Sequence, residues 1–248
     1  MIFDFSIWEW ALLLMAAAMT GLSKTGVPAV GMLVVPIMAW LFGGRPSTGF
    51  LLPMLIMADI AAVLYYRRNA NFRYIFRLMP FVLMGIAIGT LTGKLFSIDN
   101  FSRIIGIMVI ISTIMLFLKS WFEKMESRIH NIWFSAFFGV LAGYSTMIAN
   151  AAGPVMAVYL LSFQLKKNEF IGTAAWFFML VNLIKLPLQI WVWDNISMQT
   201  LQLNLMLLPA ILLGAVLGIY LVKKIPELYY RYLIIGATVL AAIVMVLQ

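Results

Sequence analysis

The sequence has no cysteine, a single histidine and few charged residues. Its 248 residues include no Cys, one His (His130) and only 10% Asp, Glu, Lys and Arg. The missing cysteines exclude disulfides, thiolate nucleophiles and cysteine-ligated zinc or iron–sulfur centres. A complete phosphate-binding loop is also missing, because the nearest stretch, GGRPSTG at 43–49, lacks its lysine. The sequence therefore predicts no metal, no cofactor and no ATP-driven activity of this chain.

Apolar residues, by contrast, are unusually abundant. Hydrophobic residues make up 64% of the chain and the mean hydropathy is +1.03, whereas soluble domains are about 45–50% apolar and about 25% charged. We therefore expect a multi-pass membrane protein with lipid as its main partner. The net charge of +8 does not indicate nucleic acid, because the basic residues lie mainly in short connectors between apolar runs.

The apolar runs fall into two length classes. Full spans of about 20 residues are predicted at 49–66, 74–93, 101–118, 170–192, 203–222 and 230–247. Shorter runs form two pairs, 7–20 with 29–42 and 132–148 with 155–163, separated by GLSKTGVP (21–28) and ANAAGP (149–154). Each interrupted pair predicts a re-entrant or discontinuous helix, and the sequence leaves open whether its arms cross the membrane fully.

Similar segments recur in the two halves of the chain. Gly21-x-Ser23 matches Gly143-x-Ser145 at a spacing of 122, and MPFVLMGIAIG (79–89) matches LPAILLGAVLG (208–218) at a spacing of 129. These matches predict one all-α transmembrane domain, 1–248, built from two repeats. Repeat 1 covers about 1–118 and repeat 2 about 131–248. Each comprises a broken helix pair followed by three transmembrane helices.

The distribution of basic residues predicts the orientation. Connectors 67–77, 119–130, 166–169 and 223–231 hold 12 of the 17 Lys and Arg, whereas Arg45, Lys94 and Arg103 lie in connectors on the opposite side. The positive-inside rule then makes the 12-residue side cytoplasmic and places both termini in the periplasm. The second half begins from the opposite face, so the repeats are predicted to be inverted, an arrangement typical of secondary transporters.

The two breaks contain residues suited to binding an anion. Pro28 and Pro154 favour helix starts, where free N–H groups and the positive dipole end attract anions. Hydroxyls and amides nearby supply neutral donors, and the candidates are Ser23, Thr25, Ser145, Thr146 and Asn150. The alternative is that these residues only cap helices.

Three charged residues are predicted within the membrane, where charges usually face a cavity or a partner. Lys24 lies at the first break and is a candidate anion contact; it is an ordinary cytoplasmic lysine if both arms cross fully. Asp59 is a candidate proton-coupling group and Lys185 a second anion contact. The alternative is a structural pair of Asp59 with Lys185 or with Lys24.

Glycine spacing predicts close helix packing. Gly85-x-x-x-Gly89 and Gly214-x-x-x-Gly218 allow helices to approach closely, either within one chain or between the subunits of a homo-oligomer.

The second half resembles a known family. NAAGPVMAVYLL (150–161) and KKNEFIGTAAWFFMLVNLIKLP (166–187) are similar to the TauE/SafE family of bacterial sulfite exporters, and GLSKTGVPAVGMLVVP (21–36) resembles its other signature. The resemblance implies proton-linked export of sulfite or organosulfonates across the inner membrane, with the site between the two breaks. It also implies that Gly153, Asn182 and Lys185 belong to the substrate site.

The predicted function is therefore secondary transport of a small sulfur oxyanion by alternating access. A passive anion channel, or transport of a different small anion by the same fold, is the alternative. A non-transporting scaffold subunit is a further hypothesis, in which both lysines would be held in fixed ion pairs. An enzyme is not expected, because no His or Cys cluster, H-E-x-x-H motif or pair of intramembrane Asp residues is present.

Overall fold

The described part of the chain is helical, and its helices follow the predicted runs. The computed structural model describes residues 5–27, 30–93, 95, 132–226 and 229–230. Eight α-helices lie there: α1 Ile7–Thr25, α2 Val30–Phe42, α3 Gly44–Tyr66, α4 Phe72–Gly93, α5 Ile132–Ala149, α6 Gly153–Ser162, α7 Lys167–Pro187 and α8 Met198–Lys224. A π-helical turn, Leu188–Val192, extends α7. The predicted span 101–118, nearly all of 230–247, and the connector 119–130 with His130 lie outside the described residues.

Five of the helical segments are long and apolar enough to cross a membrane. These are α3, α4, α5, α8 and α7 with its π-helical extension, whereas α6 is a short apolar helix. The described residues thus confirm an all-helical, multi-pass membrane protein. Helix α5 lies on the run 132–148, for which the sequence left full crossing open; it has 18 residues and meets the requirement by length and composition.

The connection between α2 and α3 is shorter than predicted. Gly43 alone separates the two helices, with a φ of +80° that glycine adopts at little cost. Arg45, expected in a connector, therefore lies in the first turn of α3.

Helix α3 lies near the centre of the bundle and α8 near its edge. In the most apolar 18-residue stretch of each helix, 61% of the stretch is buried in α3 but only 33% in α8. Leu213 and Val216 on α8 are 66% and 64% exposed, which fits a face that contacts lipid. Helix α3 packs against α7, while α1 packs on α8 and α4 on α5.

The helix contacts repeat between the two halves. A Cβ added at Gly85 would overlap the carbonyl oxygen of Val140, and one at Gly214 would overlap that of Ala18. The spacings of 122 and 129 relate Ala18 to Val140 and Gly85 to Gly214, so the same contact is made twice. Both Gly-x-x-x-Gly faces thus pack within the chain. A homo-oligomer and the inverted insertion of the repeats stay predictions.

Three of the four connectors predicted to be cytoplasmic meet at one end of the bundle. The Asn71 amide donates to Glu169 Oε1 at 2.9 Å. Lys167 Nζ donates to the backbone oxygens of Val222 and Ile225, each at 2.8 Å. The connectors after α3, α6 and α8 are therefore neighbours, as a shared membrane side requires.

Candidate functional site

Both predicted helix breaks are present but are shorter than predicted, because residues 21–25 continue α1, residue 149 ends α5 and residues 153–154 begin α6. Helix α1 ends at Thr25 and α2 begins at Val30, while α5 ends at Ala149 and α6 begins at Gly153. In the second break, Asn150 has a φ of +52°, a conformation that is uncommon for a residue other than glycine. Pro154 lies in the first turn of α6, as predicted, whereas Pro28 is outside the described residues.

The last turn of α1, next to the first break, carries one partner of a buried ion pair. Lys24 Nζ lies 2.9 Å from Asp59 Oδ1, with 10% of the lysine side chain and none of the aspartate side chain exposed. The ammonium also lies 4.0 Å from the centre of the Phe178 ring, a cation–π contact. Of the two structural pairs considered for Asp59, the one with Lys24 is formed.

Asp59 also connects the two halves of the protein. Its Oδ2 accepts a hydrogen bond of 2.6 Å from Nδ2 of Asn182. Asp59 lies on α3 and Asn182 on α7 at a spacing of 123, close to that of the repeats. The two equivalent positions thus touch where the central helices pack together.

Lys185 is held by neutral oxygens. Its Nζ donates to Thr146 Oγ1 at 3.1 Å, to Asn150 Oδ1 at 2.5 Å and to Asn182 Oδ1 at 3.3 Å. The side chain is fully buried, and no described carboxylate lies within salt-bridge distance of it. A buried charge without a counterion is costly unless hydrogen bonds solvate it, and these three oxygens provide that solvation.

A cavity of about 70 Å³ joins the two breaks. Its polar wall contains six of the predicted site residues, namely Ser23, Lys24, Thr146, Asn150, Gly153 and Asn182. Its apolar wall includes Phe170, Ile171, Ala174 and Phe178 on α7. A cavity needs roughly 10–15 Å³ to hold one water molecule. This cavity therefore has room for several waters or a compact anion.

The cavity extends toward the basic connectors, and a set of hydrogen bonds lies on its other side. Phe170 and Ile171 lie in the first turns of α7, beside connector 166–169. On the opposite side, Asn150 Nδ2 donates to the Thr48 carbonyl at 3.0 Å and Gln189 Nε2 to Thr48 Oγ1 at 3.3 Å. Asn195 Nδ2 then donates to Gln189 Oε1 at 3.0 Å. These contacts connect α3, the second break and the π-helical turn.

Four predicted site residues do not line the cavity. Thr25 Oγ1 lies 2.8 Å from the Ala215 carbonyl, so this hydroxyl fastens α1 to α8. Ser145 Oγ donates to the Ala142 carbonyl of its own helix at 3.2 Å. Asp59 and Lys185 do not line the cavity but contact side chains that do.

Phe178, Thr48 and Gln189 are site residues that were not predicted from the sequence. A helical signal existed for two of them, because Phe178 lies four residues before Asn182 and Gln189 four residues after Lys185. No local pattern indicated Thr48, which becomes part of the site only when α3 packs beside the second break.

The charges of the cluster do not cancel. Lys24 and Lys185 supply two positive charges and Asp59 one negative charge, so the cluster has a formal charge of +1. Among the described residues no group of three His, Asp or Glu is placed to bind a metal ion. The arrangement is therefore suited to an anion in a small, largely enclosed cavity.

A polar cavity at two helix breaks in a multi-pass helical protein is typical of secondary membrane transporters. The family model described as Sulfite exporter TauE/SafE matches residues 10–245. The chain therefore belongs to the TauE/SafE family, as the resemblance of its two signatures implied. Comparison with curated proteins gave no match, and comparison with solved structures gave none either.

Proposed function

We propose that this protein exports a small sulfur oxyanion, sulfite or an organosulfonate, across the inner membrane by proton-linked secondary transport. The cavity between the two breaks carries the proposal, because Lys24 lines it and the surrounding cluster has an excess positive charge. Family membership supports transport of an anion rather than catalysis.

The anion would lie between the ends of the two breaks. Lys24 supplies a charged donor, and Ser23 and Thr146 supply hydroxyls at the cavity wall. The first turn of α6 adds backbone N–H groups that no helix partner takes. Gly153 leaves room for an anion to approach them, because a Cβ built there would have no atom within 4 Å.

Proton linkage would act through Asp59. This carboxylate holds Lys24 at 2.9 Å, so Lys24 is shared between Asp59 and any anion in the cavity. Protonating Asp59 removes the competing charge and frees Lys24 for the substrate. Anion and proton would therefore bind and cross together, so the outward gradient of the anion, not the inward proton gradient, would drive export.

In this proposal the described conformation is the inward-facing state. The cavity extends toward the connectors predicted to be cytoplasmic, and the contacts among Thr48, Asn150, Gln189 and Asn195 close the other side. Alternating access would break those contacts and close the cytoplasmic side. Movement of one half against the other, across the α3–α7 contact, can achieve this.

A flux assay tests the proposal against a passive channel. Purified protein in proteoliposomes is given sulfite at equal concentrations inside and outside, with a pH gradient across the membrane. A proton-linked transporter accumulates sulfite on one side until the gradient collapses, beyond the level in protein-free liposomes corrected for diffusion of neutral acid. Accumulation no greater than in those liposomes would reject proton coupling and favour the channel.

A further inference from the structure

The contacts of Lys185 show that it cannot bind an anion without giving up a present partner. An ammonium group has three N–H donors, and here three oxygens accept from Nζ: Thr146 Oγ1, Asn150 Oδ1 and Asn182 Oδ1. Lys185 does not line the cavity, but all three acceptor residues do. Its charge therefore reaches the cavity through a layer of neutral side chains.

Thr146 differs from the other two members of this layer in that its only donor is unused. The Asn150 amide nitrogen donates to the Thr48 carbonyl and that of Asn182 donates to Asp59, each through one of its two N–H bonds. The Thr146 hydroxyl accepts from Lys185, and within the described ranges no protein oxygen accepts its own O–H. A hydroxyl that accepts from a cation is a stronger donor. The Thr146 O–H is thus left for an occupant of the cavity.

The internal repeat places Thr146 opposite Lys24. The spacing of 122 that relates Ser23 to Ser145 also relates Lys24 to Thr146. Both residues line the cavity, one at the end of α1 and the other near the end of α5. At equivalent positions, the first half thus has the Lys24 ammonium group and the second half has the Thr146 hydroxyl. That hydroxyl accepts a hydrogen bond from the Lys185 ammonium group.

We propose that Thr146 is a specificity-determining contact for oxyanions and that Lys185 is a positioning residue acting through it. This inference rests on the proposed anion transport and identifies how the site selects its substrate. A single directed O–H donor suits an oxygen acceptor at 2.5–3.0 Å, whereas a halide gains less from one directed donor. The site should therefore prefer oxyanions to halides of the same charge.

Binding of methanesulfonate and of bromide to the purified full-length protein tests the role of Thr146. We expect Thr146→Val to weaken methanesulfonate binding about tenfold or more, the effect of losing one hydrogen bond to a charged group, and to change bromide binding much less. Thr146→Ser should restore methanesulfonate binding. The matched control is Thr20→Val, since Thr20 is equally buried but donates to the Ala16 carbonyl of its own helix; it should bind as wild type does.

A double-mutant cycle tests the role of Lys185. If Lys185 acts through Thr146, then Lys185→Met should weaken methanesulfonate binding in the wild type but add little in the Thr146→Val background. Additive losses would overturn this and make Lys185 a direct contact. Should Lys185→Met fail to fold, the Val and Ser variants of Thr146 decide alone: unchanged methanesulfonate binding in Thr146→Val overturns the inference. A wild type that binds neither anion would instead overturn the proposed function.

Discussion

The buried charges of this protein differ in how each is compensated. Lys24 has a carboxylate partner in Asp59, whereas Lys185 has only amide and hydroxyl oxygens. Charges at membrane depth cost at least about 2.5–3.5 kcal/mol on insertion scales, so a lysine without a counterion requires compensation of another kind. Three hydrogen bonds supply it and leave the charge available to attract an anion. A scaffold with both lysines in fixed ion pairs does not fit this arrangement.

Asp59→Asn should remove the pH dependence of anion binding. In the wild type, affinity for methanesulfonate should rise as the pH falls, because protonation of Asp59 ends its pairing with Lys24. The asparagine variant is neutral at every pH and should bind as tightly as the wild type does at its acidic limit. Methanesulfonate is a suitable probe because its own charge does not change between mildly acidic and mildly basic pH. Titrations across that pH range measure the effect.

A pH dependence that survives in Asp59→Asn would place the coupling proton elsewhere. Loss of all binding, with an unchanged unfolding temperature, would instead show that Asp59 is needed to position Lys24. Either result would contradict the role proposed for this carboxylate.

Among the helices, most of the architecture could be predicted from the sequence. The described helices lie on the apolar runs, and both interrupted pairs contain a true break, because run length and the Gly-Pro breaks are local signals. Contacts between distant segments have no such signal. The approach of Thr48 to Asn150 and the start of α3 at Gly44 depend on how the helices pack.

Only part of the site could be predicted from the sequence, because contacts between distant segments have no local signal. Residues at the breaks could be found from local pattern, and five of those predicted there line the cavity. Burial and proximity, however, decide which polar group faces inward. Ser145 and Thr146 are adjacent in sequence, yet only Thr146 reaches the cavity.

Gly85→Ala should destabilise the packing of α4 on α5. The added methyl group would overlap the Val140 carbonyl oxygen, and overpacking of this kind costs roughly 1–3 kcal/mol. Gly214→Ala should have a similar effect, because it meets Ala18 in the equivalent contact. Thermal unfolding followed by tryptophan fluorescence would show a lower midpoint for both variants.

The control for this prediction is Gly153→Ala, where no atom lies within 4 Å of the added methyl group. Its unfolding midpoint should equal or exceed that of the wild type. Equal midpoints for all three variants would contradict the close packing of the two helix pairs.

For the protein as a unit, the contacts between its halves suggest how access could alternate. Helices α1 and α8 form one close pair, α4 and α5 another, and α3 meets α7 between them. The glycine contacts make each outer pair tight, whereas polar side chains join α3 to α7 at Asp59 and Asn182. Relative movement is therefore expected at the central contact rather than within the outer pairs.

Single cysteines can test the orientation on a background that has no native cysteine. At the basic end, Asn69→Cys lies in an exposed connector and Asn168→Cys at an exposed position in the first turn of α7. Gln199→Cys lies at the exposed start of α8. A membrane-impermeant maleimide added to intact cells should label only Gln199→Cys. Labelling of the first two variants without cell lysis would reverse the proposed orientation.

Sulfite flux in proteoliposomes, compared between wild type, Lys24→Ala and Lys166→Ala, tests the central claim most directly. Lys24 lines the cavity, whereas Lys166 is an exposed connector residue and a matched control. We predict that a pH gradient drives sulfite flux in the wild type and in Lys166→Ala. Lys24→Ala should fold, as judged by its unfolding midpoint, but should show at most about a tenth of the wild-type flux. This is the loss expected from removing one charged contact. Unchanged flux in Lys24→Ala would contradict a substrate site between the two helix breaks.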